Sequence, residues 1–346
     1  MEAKVSLDTA RKKAELLAGG PVKIPVDYRL PFLPSRSTAG PGAGSTSIVF
    51  AFGNTRVKKP ISRKDGDFEL VERNGVLSLA KDGKTFIDDV KLLPTFLHAP
   101  FQAFINIDHA CIYGCKFCSS PKLGHGVTKN LTDDKIIRMI LEASKEKGFE
   151  SVALTSAVAQ SPAITIKRMV GLVTEIRKLL PSVPVGVEPY ATRPDEIDLL
   201  KDAGADEIKL NIESFDRDIF EKVCPERDYD VILHCINHAG RVFGKNKVCS
   251  NIIFGLGETD DNVLEGTKVL ANMGAVATLR ALRRSEHNIS SLEAVLGRLK
   301  SVSAERMLSL AQEQRRILTS YGLSTLKFKT MCHKCLGCDL VPFWDV

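Results

Sequence analysis

Two groups of cysteines could do chemistry in this chain. Cys111, Cys115 and Cys118 fall within "HACIYGCKFCSS", and Cys332, Cys335 and Cys338 within "MCHKCLGCDL" near the end. The other three of the nine cysteines, Cys224, Cys235 and Cys249, are scattered. Thiols in tight groups are the donors of zinc and iron–sulfur sites. A structural zinc site is closed by four ligands, and no further Cys or His stands where a zinc ribbon would place it beside the first triplet. His109 and His125 are nearby but read as ordinary loop residues. A 4Fe–4S cluster normally takes four thiolates, so three leave one iron with an open position that can chelate a small molecule. For the second triplet a zinc knuckle with His333 is the rival to a cluster. His333 is adjacent to Cys332 and poorly placed to close the same tetrahedron.

These thiols must be positioned by the elements around them. From about Phe101 the sequence repeats strand, loop and helix six times. "AFINID" precedes the first triplet, and "LTDDKIIRMILEASKEKG" follows as a helix capped near Thr132. "ESVALTS", "VPVGVEP", "ADEIKLNIES", "KVCSNIIFGLGE" and "AVATLRALR" each lead into a helical stretch. Such alternation implies a parallel sheet with helices on its outer face, and chemistry beyond the C-terminal strand ends. The first hundred residues differ: an opening helix, a Gly-rich run "LPSRSTAGPGAG", then alternating residues around Asn74-Gly75 and Asp82-Gly83, which signal hairpins. The expected organisation is therefore an extension over 1–100 (helix, Gly-rich loop, hairpin) packed on a barrel over 101–300, followed by a last helix and cysteine segment over 301–346.

Composition supports a folded protein: 44% of the 346 residues are hydrophobic and 26% charged. The net charge of +6 is spread without a dense basic block, so nucleic acid is not an expected partner. No apolar run approaches the roughly 20 residues that span a bilayer. The N-terminus lacks the apolar core of a signal peptide, so the expected location is cytoplasmic. Nine cysteines in that compartment point to metal binding or catalysis rather than disulfides.

Cys111-x3-Cys115-x2-Cys118, with Phe117 before the last cysteine and a strand before the first, resembles the radical S-adenosylmethionine (SAM) superfamily. The resemblance implies an α/β fold, a partial (β/α)6 TIM-type barrel. It also implies a 4Fe–4S cluster whose open iron binds S-adenosylmethionine. One electron then cleaves the sulfonium, and the resulting 5′-deoxyadenosyl radical takes hydrogen from an unreactive C–H. Several strand ends match. In "VALTSAV", Thr155 and Ser156 stand where the family touches the methionine amino group, and Glu188 ends the next strand as a further candidate contact. "LNIES" resembles a strand of biotin and lipoyl synthases, making Asn211 and Glu213 candidates for substrate or ribose contact. "KVCSNIIFGLGET" resembles a biotin synthase segment in which Ile253 would pack on adenine, with Gly255 and Gly257 allowing close backbone approach. Glu258 reads as the cap of the next helix. Cys249 stands at a biotin synthase cluster-ligand position, but the companion thiols are missing and it reads as a buried small residue, as do Cys224 and Cys235.

The spacing of the second triplet resembles part of bacterial ferredoxin motifs and implies a second 4Fe–4S cluster. With strands like those of lipoyl synthases, this suggests sulfur insertion into a protein-bound octanoyl chain, and a likeness to the archaeal type of lipoyl synthase. Its partners would be an octanoylated lipoyl-carrier protein or peptide, a reductant such as ferredoxin, and a possible second radical SAM subunit. The triplet lacks a fourth ligand, and Ser37, with Arg36 beside it, is the expected one. In "TLRALRRSEHN", Arg280, Arg283 and Arg284 are candidates to hold a carboxylate, with Arg283 and Arg284 equally readable as solvated loop residues. A radical enzyme of another class (methylation, peptide or cofactor modification) and a non-enzymatic zinc or nucleic-acid-binding protein are the alternatives.

Overall fold

The computed structural model describes residues 6–36, 45–95, 98–118 and 131–346. It opens on helix α1 (Leu7–Ala18) and eight strands: β1 (Val22–Lys23), β2 (Ser35–Arg36), β3 (Thr46–Phe52), β4 (Thr55–Ser62), β5 (Phe68–Arg73), β6 (Val76–Lys81), β7 (Lys84–Ile87) and β8 (Lys91–Leu93). These form one sheet in the order β2-β3-β4-β1-β5-β6-β7, with β8 also pairing with β3. The two hairpins are those expected: Asn74-Gly75 and Asp82-Gly83 all have positive φ, as two-residue turns of this type require. The sheet is larger than the expected hairpin. It is completed by β1, two residues long and parallel to both β4 and β5, a strand too short to show any periodicity in sequence.

The rest of the fold is a parallel sheet of six strands whose order follows the sequence, with β9 and β14 at its edges. It runs β9 (Gln102–Asn106), α2 (Asp133–Ser144), β10 (Ser151–Thr155), α3 (Pro162–Leu179), β11 (Val185–Glu188), α4 (Pro194–Asp202) and β12 (Glu207–Lys209). It continues with α5 (Arg217–Val223), α6 (Tyr229–Phe243), β13 (Val248–Phe254), α7 (Asp260–Asn272) and β14 (Ala275–Ala281). This is the (β/α)6 arrangement, and β9 and β13 are buried along their whole length, as strands covered on both faces must be. Thr132, Ser161, Asp228 and Thr259 accept hydrogen bonds from the first turns of α2, α3, α6 and α7, so the loops at the C-terminal strand ends have fixed exits. No helix among the described residues is long and apolar enough to cross a membrane.

After α8 (Ile289–Leu296) and α9 (Ala304–Ser320), the tail carries the short helix α10 (Met331–Cys335) and turns inward. Cys332 and Cys335 thus lie on a short helix within the cysteine segment. The Glu207 carboxylate accepts from the backbone N–H groups of Lys329 and Thr330 at 2.8 and 2.9 Å, and Gln102 Nε2 donates to Met331 O. A Cβ on Gly186 would lie 2.1 Å from Thr330 Oγ1, so only glycine lets the tail pack against β11. On the other side Lys58 N donates to Gly337 O at 2.7 Å. The seal is a fully buried ion pair, Lys13 Nζ to Asp345 at 2.7 Å, with Thr55 Oγ1 on the other carboxylate oxygen. Removing one partner of such a pair costs about 3–5 kcal/mol, because a charge is stranded away from water.

Candidate active site

At the C-terminal ends of the parallel strands lies a cavity of about 770 Å³, within the range of small-molecule sites. Register sets its floor: Asn106, Thr155 and Glu188 are side by side on β9, β10 and β11. β12 and the extended residues after it alternate polar and apolar side chains, with Glu207, Lys209, Asn211 and Glu213 separated by Ile208, Leu210 and Ile212. This places the polar side chains inward, and Asn211 and Glu213 line the cavity. Ser156, Phe117, Ile253 and Arg280 line it as well, and Lys59, Gly19, Gly20 and Ser45 bring the N-terminal region into its wall.

The loop with Cys111, Cys115 and Cys118 is held from three directions. Ile112 N donates to Val158 O and Lys116 N to Val223 O, both at 2.8 Å, while Asn288 Nδ2 donates to Phe117 O at 3.1 Å. All three thiols face the cavity. A hydrogen bond from Cys224, helped by Arg227 against the effect of burial, holds Cys115 below the usual thiol range. Cys224 therefore touches the first triplet, and is not the simple packing residue expected; Cys235 is buried in α6.

Arg227, which belongs to no motif in the sequence, is the main cation beside this loop. Burial opposes its charge, but Glu213 at 3.5 Å and the two thiols raise its pKa overall. Its Nη2 donates to Asn211 O at 2.8 Å, and its plane lies 4.6 Å from the Tyr190 ring centroid. Tyr190 in turn meets Tyr113 edge to face at 5.2 Å. Among the described residues, Arg227 Nε is buried without a partner, as are Asn106 Oδ1 and Asn251 Oδ1. Such groups in a cavity wall are costly unless a ligand satisfies them. Burial raises Glu213 despite Arg227, whereas for Glu188 the effect of burial is outweighed by Lys209 and Asn211 and its pKa falls.

The second triplet lies in a ring of cations. Lys209 Nζ donates to Cys332 Sγ at 3.3 Å and pairs with Glu188 at 3.0 Å. Arg280 Nη2 approaches the same sulfur at 3.5 Å and pairs with Asp339 at 2.7 Å. From the N-terminal sheet, burial lowers Arg56 and Lys58 while the Cys335 thiol attracts both. Burial and then the two other thiols push Cys335 up to about 12. Cys249 is fully buried in β13, where burial raises its thiol strongly, with Lys209 and Cys332 as electrostatic neighbours. His333 bonds Thr278 at 3.3 Å and packs on Phe328, and burial pushes it down to about 3, so it is neutral.

Other expected residues fall differently. Ser37 lies outside the described residues, as does His125, and Arg36 ends β2. Gly255 has φ +100° and does not line the cavity; a Cβ there would meet Val302 Cγ2 at 2.5 Å. Glu258 does not cap the next helix, a role taken by Thr259. Its oxygens accept from Gly255 N and Leu256 N, and Arg306 pairs with it at 2.8 Å. Ser156 Oγ donates to Ala157 O. Lys209 and Glu207 were missed in sequence, although the alternation Glu-x-Lys-x-Asn-x-Glu over 207–213 was a usable signal.

Comparison with known proteins bears on this geometry. Residues 105–268 match the profile of the Radical SAM superfamily. A lipoyl synthase from Caldanaerobacter subterraneus is 27% identical over 173 residues, covering 49% of this chain and 59% of that protein. A biotin synthase from Thermodesulfovibrio yellowstonii is 25% identical over 168 residues, covering 47% and 51%. The matched part thus spans little more than half the length of these curated relatives. Among solved structures, the FeFe-hydrogenase maturase HydG from Carboxydothermus hydrogenoformans superposes with a TM-score of 0.54 at 16% identity, over 64% of this chain and 52% of that one. Methylornithine synthase gives 0.51 at 16% identity, over 64% and 69%. These two share the fold. With the three-thiol loop at the mouth of a partial barrel, the chain carries a domain of the radical SAM superfamily, related at low identity to the lipoyl and biotin synthases.

Proposed function

We propose that the protein inserts sulfur at an unactivated carbon of an octanoyl-type chain, as a lipoyl-synthase-like radical SAM enzyme. In this reading Cys332, Cys335 and Cys338 carry a second 4Fe–4S cluster that supplies the sulfur. The observation that carries it is the cationic ring around that triplet, joined to the cavity by Arg280, which lines the cavity and also reaches Cys332. Thiolates bound to a buried cluster are anionic and need such compensation. Lys209 and Arg280 also pair with Glu188 and Asp339, but Arg56 and Lys58 donate only to backbone carbonyls among the described residues, which leaves the ring net positive toward the thiols.

Cys111, Cys115 and Cys118 would hold the first cluster. The unpartnered Arg227 Nε, Asn106 Oδ1 and Asn251 Oδ1 suit the carboxylate and ammonium of S-adenosylmethionine, one donor and two acceptors. Bound there, cluster and S-adenosylmethionine supply the means of removing a hydrogen atom from an unactivated carbon. The protein's own part is positional. Phe117 and Ile253 give the cavity an apolar lining that excludes water, and the Tyr113–Tyr190 pair braces Arg227. Lys209 ties Glu188, in the cavity wall, to Cys332. Sulfur insertion into a biotin-type substrate is the second reading, favoured by the biotin synthase relatives. The partners in the first reading are an octanoylated lipoyl-carrier peptide, a reductant of the ferredoxin kind and a second radical SAM subunit for the other sulfur.

The test is mass spectrometry after incubating the anaerobically reconstituted protein with S-adenosylmethionine, dithionite and an octanoylated lipoyl-domain peptide. A gain of sulfur supports the proposal. Deoxyadenosine without a thiolated peptide would contradict it, and a thiolated dethiobiotin in a parallel reaction would select the second reading.

A further inference from the structure

We infer that Arg283 is the anchor for an anionic head group of the substrate, a carboxylate or a phosphate, where the N-terminal region completes the cavity wall. The inference rests on reading this cavity as the substrate site of a radical enzyme. An octanoyl chain amide-linked to a carrier presents no anion, so an anionic head group favours the second reading, whose substrate ends in a free carboxylate. Three arginines follow one another at the end of β14, and the structure separates them. Arg280 is engaged by Asp339 and Cys332. Arg284 donates to Leu299 O at 3.0 Å and to the Ser301 hydroxyl. Arg283 lines the cavity, and its Nη2 is buried without a hydrogen-bond partner among the described residues.

Its surroundings sharpen the point. The carboxylates that line the cavity each have a partner: Glu188 has Lys209, Glu213 has Arg227, and Glu286 has His287. Among the described residues no carboxylate pairs with Arg283, and of the acidic residues in the sequence only Glu2 lies outside the described ones. What Arg283 does have nearby is more positive charge. Lys58 and Lys59 both have lowered pKa values, first from burial and then partly from the Arg283 guanidinium. Lys59 reaches about 7, its Nζ given to Leu16 O and Gly19 O at 2.5 and 2.6 Å. A half-buried guanidinium facing two lysines is unfavourable unless an anion arrives.

Arg283 is also fixed in place relative to the chemistry. Asn288 Nδ2 donates to Arg283 O at 2.9 Å and to Phe117 O at 3.1 Å, so one side chain ties the anchor to the first cysteine loop. With Arg227 serving the cysteine side of the cavity, Arg283 is left for the far end of a substrate chain. Planar guanidinium suits either a carboxylate or a phosphate through two parallel hydrogen bonds.

The experiment is direct binding, by equilibrium dialysis on the full-length reconstituted protein with S-adenosylmethionine present. The probes are octanoate, octyl phosphate and the uncharged octanamide. One of the anions should bind about tenfold or more tighter than octanamide, and which one identifies the head group. Arg283→Met and Arg283→Gln should erase that preference, Arg283→Lys should keep part of it, and the affinity for S-adenosylmethionine should not change. Equal binding of all three probes, or a preference that survives both neutral variants, overturns the inference. So does a loss confined to S-adenosylmethionine. Because the measurement is binding, an anion preference without any thiolated product would leave the anchor standing and remove the sulfur chemistry instead.

Discussion

Cys111, Cys115 and Cys118 stand half-buried on one loop over the cavity, whereas Cys332 and Cys338, equally half-buried, and the buried Cys335 are packed by the tail against the N-terminal sheet. The first triplet is held within the barrel alone: its loop follows β9 and is fastened to Val158, Val223 and Asn288, with Arg227 as its main cation. The second is assembled from three parts of the chain, with Arg56 and Lys58 from β4, Lys209 and Arg280 from the barrel, and the thiols from the tail. An open iron that must admit a cofactor needs a loop at the mouth of a cavity. A cluster used internally can be enclosed, and enclosure then requires compensating cations. The first site should therefore survive damage to the packing of the tail on the N-terminal sheet that the second cannot.

The largest expected effects break the comparison outright. Cys115→Ala should abolish deoxyadenosine formation, while Cys335→Ala should leave it measurable and abolish thiolated product, both read by chromatography and mass spectrometry. If Cys335→Ala left the product unchanged, the two triplets would not divide the work. Next in size, Lys13→Met should lower stability by about 3–5 kcal/mol in denaturant unfolding, by stranding Asp345. The double variant Lys13→Met/Asp345→Leu should recover much of that loss. In Lys13→Met the iron of the second triplet should be lost before that of the first, because Asp345 also accepts from Val341 N and so orders the tail.

A smaller effect concerns potential. Lys209→Met or Arg280→Met removes a positive charge beside Cys332, which should lower the reduction potential of one cluster signal by on the order of 60 mV and leave the other in place. An equal shift in both signals would mean that the two sites are not electrostatically distinct. The smallest concerns Lys59, in the wall contributed by the N-terminal region. Folding lowers this group from 10.5 to about 7. Between those values the unfolded chain binds the additional proton, so stability rises with pH above about 7, and the full penalty is present below it. Relative to Lys59→Met, the wild type should gain about 1 kcal/mol of stability per pH unit between roughly pH 7.5 and 9. A flat difference would place Lys59 in a wetter setting than its buried position implies.

Local signals were legible in sequence, and long-range ones were not. Asn74-Gly75 and Asp82-Gly83 fix their turns through φ alone, and Thr132 caps α2 through its own hydroxyl, so each can be read within a few residues. The first triplet is legible for the same reason. The ring around the second triplet was not, because Lys209 and Cys332 are 123 positions apart and only the folded tail brings them together. Two-residue strands such as β1 are invisible to periodicity, since they take their place from the strands on either side. Arg283 and Arg284 are adjacent and identical in type, and only the partners they find, or lack, tell them apart.

The central claim, that both triplets carry clusters, is tested most directly by iron and acid-labile sulfide analysis of anaerobically reconstituted protein, with electron paramagnetic resonance of the reduced form. The wild type should hold about eight irons and eight sulfides per chain, falling to about four in Cys332→Ala/Cys335→Ala/Cys338→Ala, with one of two signals lost. A wild type with about four irons, unchanged by that triple substitution, would contradict the account.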